Sequence, residues 1–188
     1  MKSIRYFIIL LHNLYFIINN MCRCRLLEYI PIKEIDTRYN IIPCKGEALR
    51  IIGSIYSKLS EGDMLSLRNR LLFFFCGGKL VFVLYDKSSR KVIGTEFYYF
   101  NKRDIRESTI HQGFRGVLPE FQGKGLGTAL TQYAYDVFSK TSLQGMSTRV
   151  SCNNMPSLIS NQKIGFEPVE KYFDAEMNED RYYMVCKF

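Results

Sequence analysis

Apolar and polar positions change their spacing along the chain, and each change predicts a new element. After a short apolar run at 40–44, apolar residues recur at helical spacing, which predicts a helix over 46–60. A second helix is predicted from Asp63, as its N-cap, through MLSLRNRLLFFF. A third is predicted over 124–140, where the apolar side chains fall on one side, and a short fourth lies in NMPSLISNQKI (154–164).

Runs of β-branched and aromatic residues predict the strands, and polar stretches such as NKRDIRE (101–107) are interpreted as loops. The predicted strands are 40–44, 80–86, 91–100, 108–118, 145–152, 165–173 and 181–188. Because these strands alternate with helices, without an internal repeat or a low-complexity linker, we predict one mixed α/β domain over 40–188. Residues 1–39 form an N-terminal segment of uncertain role.

The N-terminal segment begins with a basic and apolar stretch, MKSIRYFIILLHNLYFII. Its apolar run at 6–18 has 13 residues, is interrupted by His12 and Asn13, and falls short of the roughly 20 residues of a spanning helix. No small-residue cleavage site follows it. A peripheral segment that contacts a membrane, an element packed on the domain, and a translation start at Met21 stay open, and we favour the last two.

The chain is basic, with a net charge of +8 from 26 Lys and Arg against 18 Asp and Glu. Half of that excess lies in residues 1–25, so the domain itself is mildly basic and no nucleic acid is expected as a partner. The six cysteines form no CxxC pair, and we expect no metal site. Cysteines inside apolar runs indicate reduced thiols and a cytoplasmic location.

The stretch GVLPEFQGKGLGTAL (116–130) places four glycines between a predicted strand and a helix. Such a loop presents unpaired N–H groups and the positive end of a helix dipole, which together favour an anion. Neither the Walker A pattern, which needs Ser or Thr where Gly125 stands, nor the dinucleotide pattern GxGxxG fits it. The pattern that fits is Gln122-x-x-Gly125-x-Gly127.

The segment VLPEFQGKGLGTAL resembles the acetyl-CoA signature of the GNAT N-acetyltransferase superfamily, V-x-P followed by a [QR]-x-x-G-x-[GA] loop that wraps the cofactor pyrophosphate. NNMPSLISNQKIGF (153–166) is similar to the family's second motif, N-x-x-A-x-x-x-Y-x-K-x-G-F. The resemblance covers about 40–188. It implies a GNAT-type α/β fold, with a mixed, mostly antiparallel central sheet of about six or seven strands. It also implies about four flanking helices, a splayed strand pair at the cofactor site, and acetyl-CoA as co-substrate.

The resemblance assigns the cofactor site residue by residue. The backbone N–H groups of the loop would hold the pyrophosphate, at Gln122, Gly123, Lys124, Gly125, Leu126, Gly127 and Thr128. The pantetheine arm would pair with the free strand edge near Val117 and Leu118, where an N–H would stabilise the developing oxyanion. Asn154 matches the asparagine that contacts the arm, although it could equally be only a helix N-cap.

One position departs from the second motif. Asn161 stands where the family often has a tyrosine that protonates the departing thiolate, and Ser157 replaces the alanine. Because an amide is no acid, that role falls to water, to a hydroxyl such as Ser160, Tyr172 or Tyr133, or to no group. We retain Asn161 among the cofactor-binding residues.

The reaction also needs a general base that takes a proton from the amine. Because side chains alternate along a strand, His111 and Arg115 are predicted to point the same way as Val117. His111 stands where the histone-acetylating branch of the family has its catalytic glutamate, and an imidazole with a pKa of about 6.5 suits the task. Glu96, on the neighbouring strand, is the rival candidate. Either could instead be a strand residue without a catalytic role.

The family builds its acceptor pocket from the first loop and helices and from the final strands, here about 43–75 and 166–182. These segments carry aromatic residues and mixed charges but no acidic groove suited to a basic protein tail. We therefore favour the primary amine of a small molecule, which attacks directly in a ternary complex, and a phosphorylated acceptor also fits the basic groups. The alternatives are a protein or peptide amine and a domain that binds acyl-CoA without catalysis. We expect a monomer or a homodimer.

Overall fold

One sheet runs through the part of the chain that the computed structural model describes, residues 2–46, 48–60 and 62–188. Glu47, inside the first predicted helix, lies outside the described residues. The helices are α1 (Lys2–Cys24), α2 (Ala48–Leu59), α3 (Leu67–Leu80), α4 (Lys102–Glu107), α5 (Leu126–Phe138) and α6 (Met155–Gln162). The strands are β1 (Lys33–Glu34), β2 (Tyr39–Pro43), β3 (Val81–Asp86), β4 (Lys91–Tyr99), β5 (Thr109–Val117), β6 (Gly145–Ser151), β7 (Glu167–Asp174) and β8 (Glu179–Lys187).

The sheet has the strand order β1-β2-β3-β4-β5-β6-β8-β7, and its neighbours are antiparallel except β5 and β6. Those two pair in parallel from Thr109 opposite Gly145 to Gln112 opposite Thr148. Beyond that point they separate, and we call the gap between 113–117 of β5 and the end of β6 the fork. The mostly antiparallel sheet with a splayed strand pair is thereby confirmed. The short β1 adds an eighth strand, and α1 and α4 are the helices beyond the expected four.

Helices cover both faces of this sheet. On one face Phe73 of α3 packs against Phe97 of β4, with 4.9 Å between the ring centres. On the other face Phe138 of α5 packs against Tyr98 of β4, at 5.0 Å. We call these the α3 face and the α5 face. α6 packs beside α5.

The C-terminal half of α1 packs on the domain. The buried amide of Asn20 donates from Nδ2 to the Phe100 carbonyl (2.9 Å), and its Oδ1 accepts from the Phe100 N–H (2.7 Å). Lys79 of α3 donates from Nζ to the carbonyls of Cys24 (3.0 Å) and Leu27 (2.6 Å) at the end of α1. Three interpretations were left open for the N-terminal segment. For the end of α1, these contacts agree with the one in which the segment packs on the domain.

The first part of α1 exposes large apolar side chains, among them Phe7, Leu10 and Leu14. One helix in the described part of the chain is long and apolar enough to cross a membrane, Tyr6–Cys24, with 19 residues and a mean hydropathy of 1.2. The helix is thus longer than the apolar run of the sequence indicates. Contact of this exposed part with a membrane was the less favoured interpretation, and the contacts that bind the end of α1 to the domain do not test it.

Two predictions about helices are wrong because of capping. α3 begins after Ser66 rather than after Asp63, since the Ser66 hydroxyl accepts from the Asn69 N–H (3.2 Å) and forms the N-cap. The polar stretch NKRDIRE is not a loop but contains α4. Asn101 and Asp104 form a capping box at its start, each side chain accepting from the other residue's N–H.

A β-bulge in β5 reverses the expected facing of its side chains. Phe97 and Tyr98 of β4 pair with residues on either side of Gly113, which is left without a partner in β4. His111 therefore lies on the α3 face, whereas Arg115 lies on the α5 face. The prediction that these two side chains point the same way is wrong, because one extra residue shifts the alternation by one position.

Candidate active site

The edge of β5 that faces the fork offers free backbone groups. The N–H of Leu118 donates to the Ile93 carbonyl (2.8 Å), and this bond shows which residues of β5 direct their backbone groups toward β4. Since the bonding direction alternates in an antiparallel pair, the N–H groups of Val117 and Arg115 point toward the fork. Leu118 differs from the expectation: its N–H is bound by β4, and its carbonyl accepts from the Phe121 N–H (2.9 Å).

The glycines leave the loop between β5 and α5 open to a ligand. Gly123 and Gly125 both have φ of +74°, and no atom lies within 4 Å of the place where either Cβ would be. Gly125 is the N-cap of α5. The N–H groups of Leu126, Gly127 and Thr128 therefore have no acceptor one turn earlier in the helix. The loop presents an anion site at the positive end of α5.

A groove of about 630 Å³ lies between this loop, the free edge of β5 and α6. Its described lining contains the cations Arg115 and Lys163 and no carboxylate. Gln122 fixes the loop to the strand by donating from Nε2 to the Val117 carbonyl (2.8 Å). The backbone N–H of Gln122 donates to the Pro119 carbonyl (3.1 Å), so the free N–H groups begin one residue later than expected.

The first turn of α6 forms the far wall of the groove. Asn154 is its N-cap and accepts at Oδ1 from the Ser157 N–H (3.1 Å), so the capping alternative describes this side chain. The hydroxyl oxygens of Ser160 and Thr128 lie 2.9 Å apart and join α6 to α5. This contact links the two helices that border the groove.

Asn161 is fully buried on α6, and neither its Oδ1 nor its Nδ2 has a hydrogen-bond partner among the described residues. A buried amide without a partner costs about 1–3 kcal/mol, and such groups usually meet a ligand or an ordered water. Of the hydroxyls considered as acids, Ser160 lines the groove, whereas Tyr133 donates to the Pro31 carbonyl (3.1 Å).

His111 begins a chain of hydrogen bonds on the α3 face. Its Nδ1 lies 2.7 Å from Ser147 Oγ, and the Ser147 hydroxyl donates to Asp104 Oδ1 (2.6 Å). The same carboxylate oxygen accepts from Thr109 Oγ1 (2.7 Å). Because the hydrogen of Ser147 goes to Asp104, its oxygen accepts from Nδ1–H, which leaves Nε2 as the acceptor of the ring.

The surroundings of His111 keep its ring neutral. Burial, together with the charges of Arg149 and Arg181, lowers the pKa of His111 from 6.5 to about 3. The ring is only 2% exposed and lies 5.2 Å from the ring centre of Tyr99 and 6.2 Å from that of Tyr183. These effects outweigh the carboxylate of Asp104, whose Oδ2 lies 3.8 Å from Nδ1, so the imidazole is unprotonated near pH 7 and its pKa is not the ordinary one that the sequence suggests.

Glu96 lies on the opposite face of the sheet, fully buried beneath α5. Its Oε1 accepts from Tyr98 OH (2.7 Å), from Thr131 Oγ1 (3.0 Å) and from Gln112 Nε2. Burial raises the pKa of Glu96 above its usual range. This carboxyl group joins β4, β5 and α5, and the imidazole of His111 lies across the sheet from it.

Some residues of the site were missed because only the fold brings them together. Asp104 and Ser147 support the imidazole, and Arg115 and Lys163 add positive charge to the groove beside the exposed Lys124. Lys163 could have been identified from the sequence, since it matches the lysine of the second motif. The described residues contain no group of three or more His, Cys, Asp and Glu placed to bind a metal ion.

Comparisons with known proteins agree with this geometry. The model of the acetyltransferase (GNAT) family matches residues 54–166. A search of curated protein sequences finds no match. The fold is similar to that of Arabidopsis thaliana NAA60 in complex with acetyl-CoA, with a TM-score of 0.69 and 14% identity over 80% of this chain and 99% of that chain.

Two further solved structures have similar folds. Arabidopsis thaliana Naa50, in complex with the bisubstrate analogue CoA-Ac-MVNAL, has a TM-score of 0.67 and 17% identity over 80% of this chain and 99% of that chain. The ribosomal-protein-S5-alanine acetyltransferase from Vibrio fischeri has a TM-score of 0.66 and 19% identity over 84% of this chain and 96% of that chain. The family model spans more than half of the chain and includes the bulged strand, the fork and the glycine loop. The chain therefore belongs to the acetyltransferase (GNAT) family and is, as an enzyme, an acyltransferase.

Proposed function

We propose that the protein transfers an acetyl group from acetyl-CoA to the primary amine of a small-molecule acceptor, by direct attack in a ternary complex. The observation that carries this proposal is the fork, because a free strand edge leads from its apex to a positive glycine loop. A pyrophosphate suits the loop, and an arm that contains amides suits the edge. Family membership supports the same co-substrate. We expect the enzyme to act in the cytoplasm, where acetyl-CoA is available.

The groups around the groove fit acetyl-CoA. The free N–H groups of 123–128 bind the pyrophosphate, and Arg115 and Lys163 balance its charge. The backbone N–H groups of Arg115 and Val117 pair with the amides of the arm, as a neighbouring strand would. Asn161 is fully buried on the helix that forms the far wall, and its role in binding rests on its position in the second motif.

Residues just before the apex of the fork, where β5 and β6 are still paired, supply the remaining steps. The amine nitrogen attacks the thioester carbonyl carbon, so that the N–C bond forms, the C–S bond breaks and CoA leaves as a thiolate. Nε2 of His111 receives the proton of the amine through a bridging water, because His111 lines neither the groove nor the α3-face cavity and does not meet the amine directly. The hydrogen bonds through Ser147 to Asp104 stabilise the charge that the ring gains. We assign this role to His111 rather than to Glu96, because Glu96 lies across the sheet from the α3-face cavity and its Oε1 already accepts from three donors.

The low pKa of His111 determines the form in which the acceptor reacts. A ring with a pKa of about 3 does not take a proton from a free ammonium ion, so the amine arrives neutral. The proton moves only as the N–C bond forms and the nitrogen becomes acidic. The reaction therefore depends on the pKa of the acceptor amine more than on that of the imidazole.

The α3-face cavity beside the fork takes only Arg68 from the segments expected to build the acceptor pocket, and its size favours a small acceptor. Its volume is about 310 Å³, at the low end of small-molecule sites, and α1 forms one of its walls. The names of the similar structures also include enzymes that act on protein amines, and a peptide acceptor is therefore an outcome that the test must distinguish.

Calorimetric titration with acetyl-CoA and with CoA, followed by a thiol-release assay, tests this function. We expect acetyl-CoA to bind, and thiol release with small primary amines but not with peptides that begin with methionine or alanine. Thiol release with peptides alone would show that the acceptor is a protein amine. Binding without release in either set would identify a non-catalytic domain, and a folded protein that does not bind acetyl-CoA would remove the proposal.

Replacing Asn161 with leucine is expected to raise stability and weaken acetyl-CoA binding. Leucine has a similar volume and removes an unpaired buried amide, so the free energy of unfolding should rise by about 1–3 kcal/mol. If the amide meets the arm of the co-substrate, the affinity falls about tenfold, which corresponds to about 1.4 kcal/mol. Thermal unfolding and calorimetry measure the two effects. The control is Gln162→Leu, an exposed amide next to it, and a more stable Asn161→Leu protein with unchanged affinity would contradict the role in binding.

A further inference from the structure

The cavity on the α3 face is lined by cations from three separate elements. Arg68 of α3, Lys102 of α4 and Arg149 of β6 all line it, and its described lining contains no carboxylate. Phe16 of α1 and Tyr99 of β4 add aromatic surface. We call it the cationic cavity.

The cationic cavity adjoins the apex of the fork. Arg149 is the first residue of β6 after the last pair with β5, Gln112 opposite Thr148. The ring of Tyr99 covers Gly113, the first residue of the free edge of β5, so closely that a Cβ there would overlap it. A co-substrate whose pyrophosphate lies at the loop and whose arm follows β5 ends at this apex, so the cavity lies where an acceptor would meet the thioester.

The two arginines of the cavity have no acidic partners among the described residues. The Nε of Arg68 is buried without a hydrogen-bond partner, and its guanidinium lies 4.1 Å from the ring centre of Phe16. Other arginines near this face are paired: Arg103 with Glu170 (2.6 Å) and Arg181 with Asp174 (3.8 Å). Like charges that face one cavity repel each other, and the arrangement is stabilised when an anion binds between them.

We infer that the acceptor carries an oxyanion, a carboxylate or a phosphate, in addition to its amine. Arg68 and Arg149 bind this group, since a planar guanidinium matches the oxygens of either anion. Phe16 and Tyr99 pack on the body of the molecule, and its amine points to the apex of the fork. The inference rests on the proposed function and names the substrate class of that site.

Three para-substituted benzylamines test the inference: 4-(aminomethyl)benzoate, 4-(aminomethyl)benzylphosphonate and 4-(aminomethyl)benzamide. We expect thiol release from acetyl-CoA with a kcat/KM at least tenfold higher for an anionic amine than for the amide, because charge-assisted hydrogen bonds are the stronger ones. The benzoate and the phosphonate distinguish a carboxylate from a phosphate. In Arg149→Gln and in Arg68→Gln, the ratio of anionic to neutral kcat/KM should fall toward one. The matched control is Arg106→Gln, an exposed arginine of α4 outside the cavity, which should keep the ratio of the parent.

A binding experiment tests the inference without relying on turnover. Calorimetry with 4-methylbenzoate, 4-methylbenzylphosphonate and 4-methylbenzamide should show tighter binding of an anion than of the amide, and the difference should be lost in Arg149→Gln. Equal or preferred use and binding of the neutral compounds would overturn the inference but leave the acetyltransferase proposal intact. Anion binding at the cavity without thiol release from any amine or peptide would instead overturn the proposed function.

Discussion

We expect Gly125→Glu to remove measurable acetyl-CoA binding, with a loss of affinity of at least about 100-fold. Gly125 is the N-cap of α5 and lines the groove, so a glutamate there places its carboxylate beside the N–H groups of the first turn. That carboxylate accepts from the N–H groups that would hold the pyrophosphate and interacts with the same end of the helix dipole. It also repels a second anion. Calorimetric titration with acetyl-CoA measures the effect.

The control for this variant is Gly125→Ala, which has the same backbone strain without the charge. At φ of +74°, alanine costs about 1–2 kcal/mol, and no atom lies within 4 Å of its Cβ. We expect this protein to fold and to bind acetyl-CoA within about tenfold of the parent. A folded Gly125→Glu protein that binds like Gly125→Ala would show that the pyrophosphate lies elsewhere.

The order of helices and strands could be predicted because most elements have a strong local signal. β3 and β4 are runs of β-branched and aromatic residues, and α5 has apolar positions at helical spacing, so their bounds differ from the prediction by one or two residues. α4 was missed although its capping box, Asn101 with Asp104, is a local signal too. Its six residues are mostly charged, and hydrophobic spacing carries no information about so short and polar a helix.

The facing of side chains at the site could not be predicted from the sequence. Strand alternation places His111 and Arg115 on one face, but the bulge at Gly113 separates them onto two. A bulge is a property of the pairing between β4 and β5, and β5 alone has no residue pattern that reports it. The same holds for Leu118, whose N–H is bound only because of the register with Ile93.

The groove at the glycine loop and the cationic cavity differ in how much of each can be recognised from the sequence. The loop from Gln122 to Thr128 is contiguous, so a motif contains most of the anion site. The cationic cavity takes Arg68 and Arg149 from elements far apart in the chain, and each looks like an ordinary surface arginine in its own segment. Acetyl-CoA could therefore be inferred before the fold was known, whereas the chemistry of the acceptor depends on the packing of α1, α3 and β6.

Acidification should destabilise the protein through His111 by about 2–3 kcal/mol between pH 7.5 and pH 4.5. The pKa of this imidazole is lowered to about 3 in the folded protein, from 6.5. A group with a depressed folded pKa contributes stability that is present above the unfolded pKa, and here this stability is lost as the pH falls from 6.5 toward 3. Each pH unit inside that window removes about 1.4 kcal/mol, because the unfolded chain binds a proton that the folded chain excludes. Urea unfolding at the two pH values measures the change.

His111→Gln separates this effect from the titration of the carboxyl groups, because its amide can donate to Ser147 but takes up no proton. We expect this variant to lose about 2–3 kcal/mol less free energy of unfolding than the parent over the same pH range. His12→Gln, which removes the other histidine, exposed on α1, is the matched control. Equal losses in the parent and in His111→Gln would mean that the folded protein protonates this ring as readily as the unfolded chain does. The neutral imidazole of the proposed mechanism would then be wrong, because burial and the two arginines would not keep the proton away.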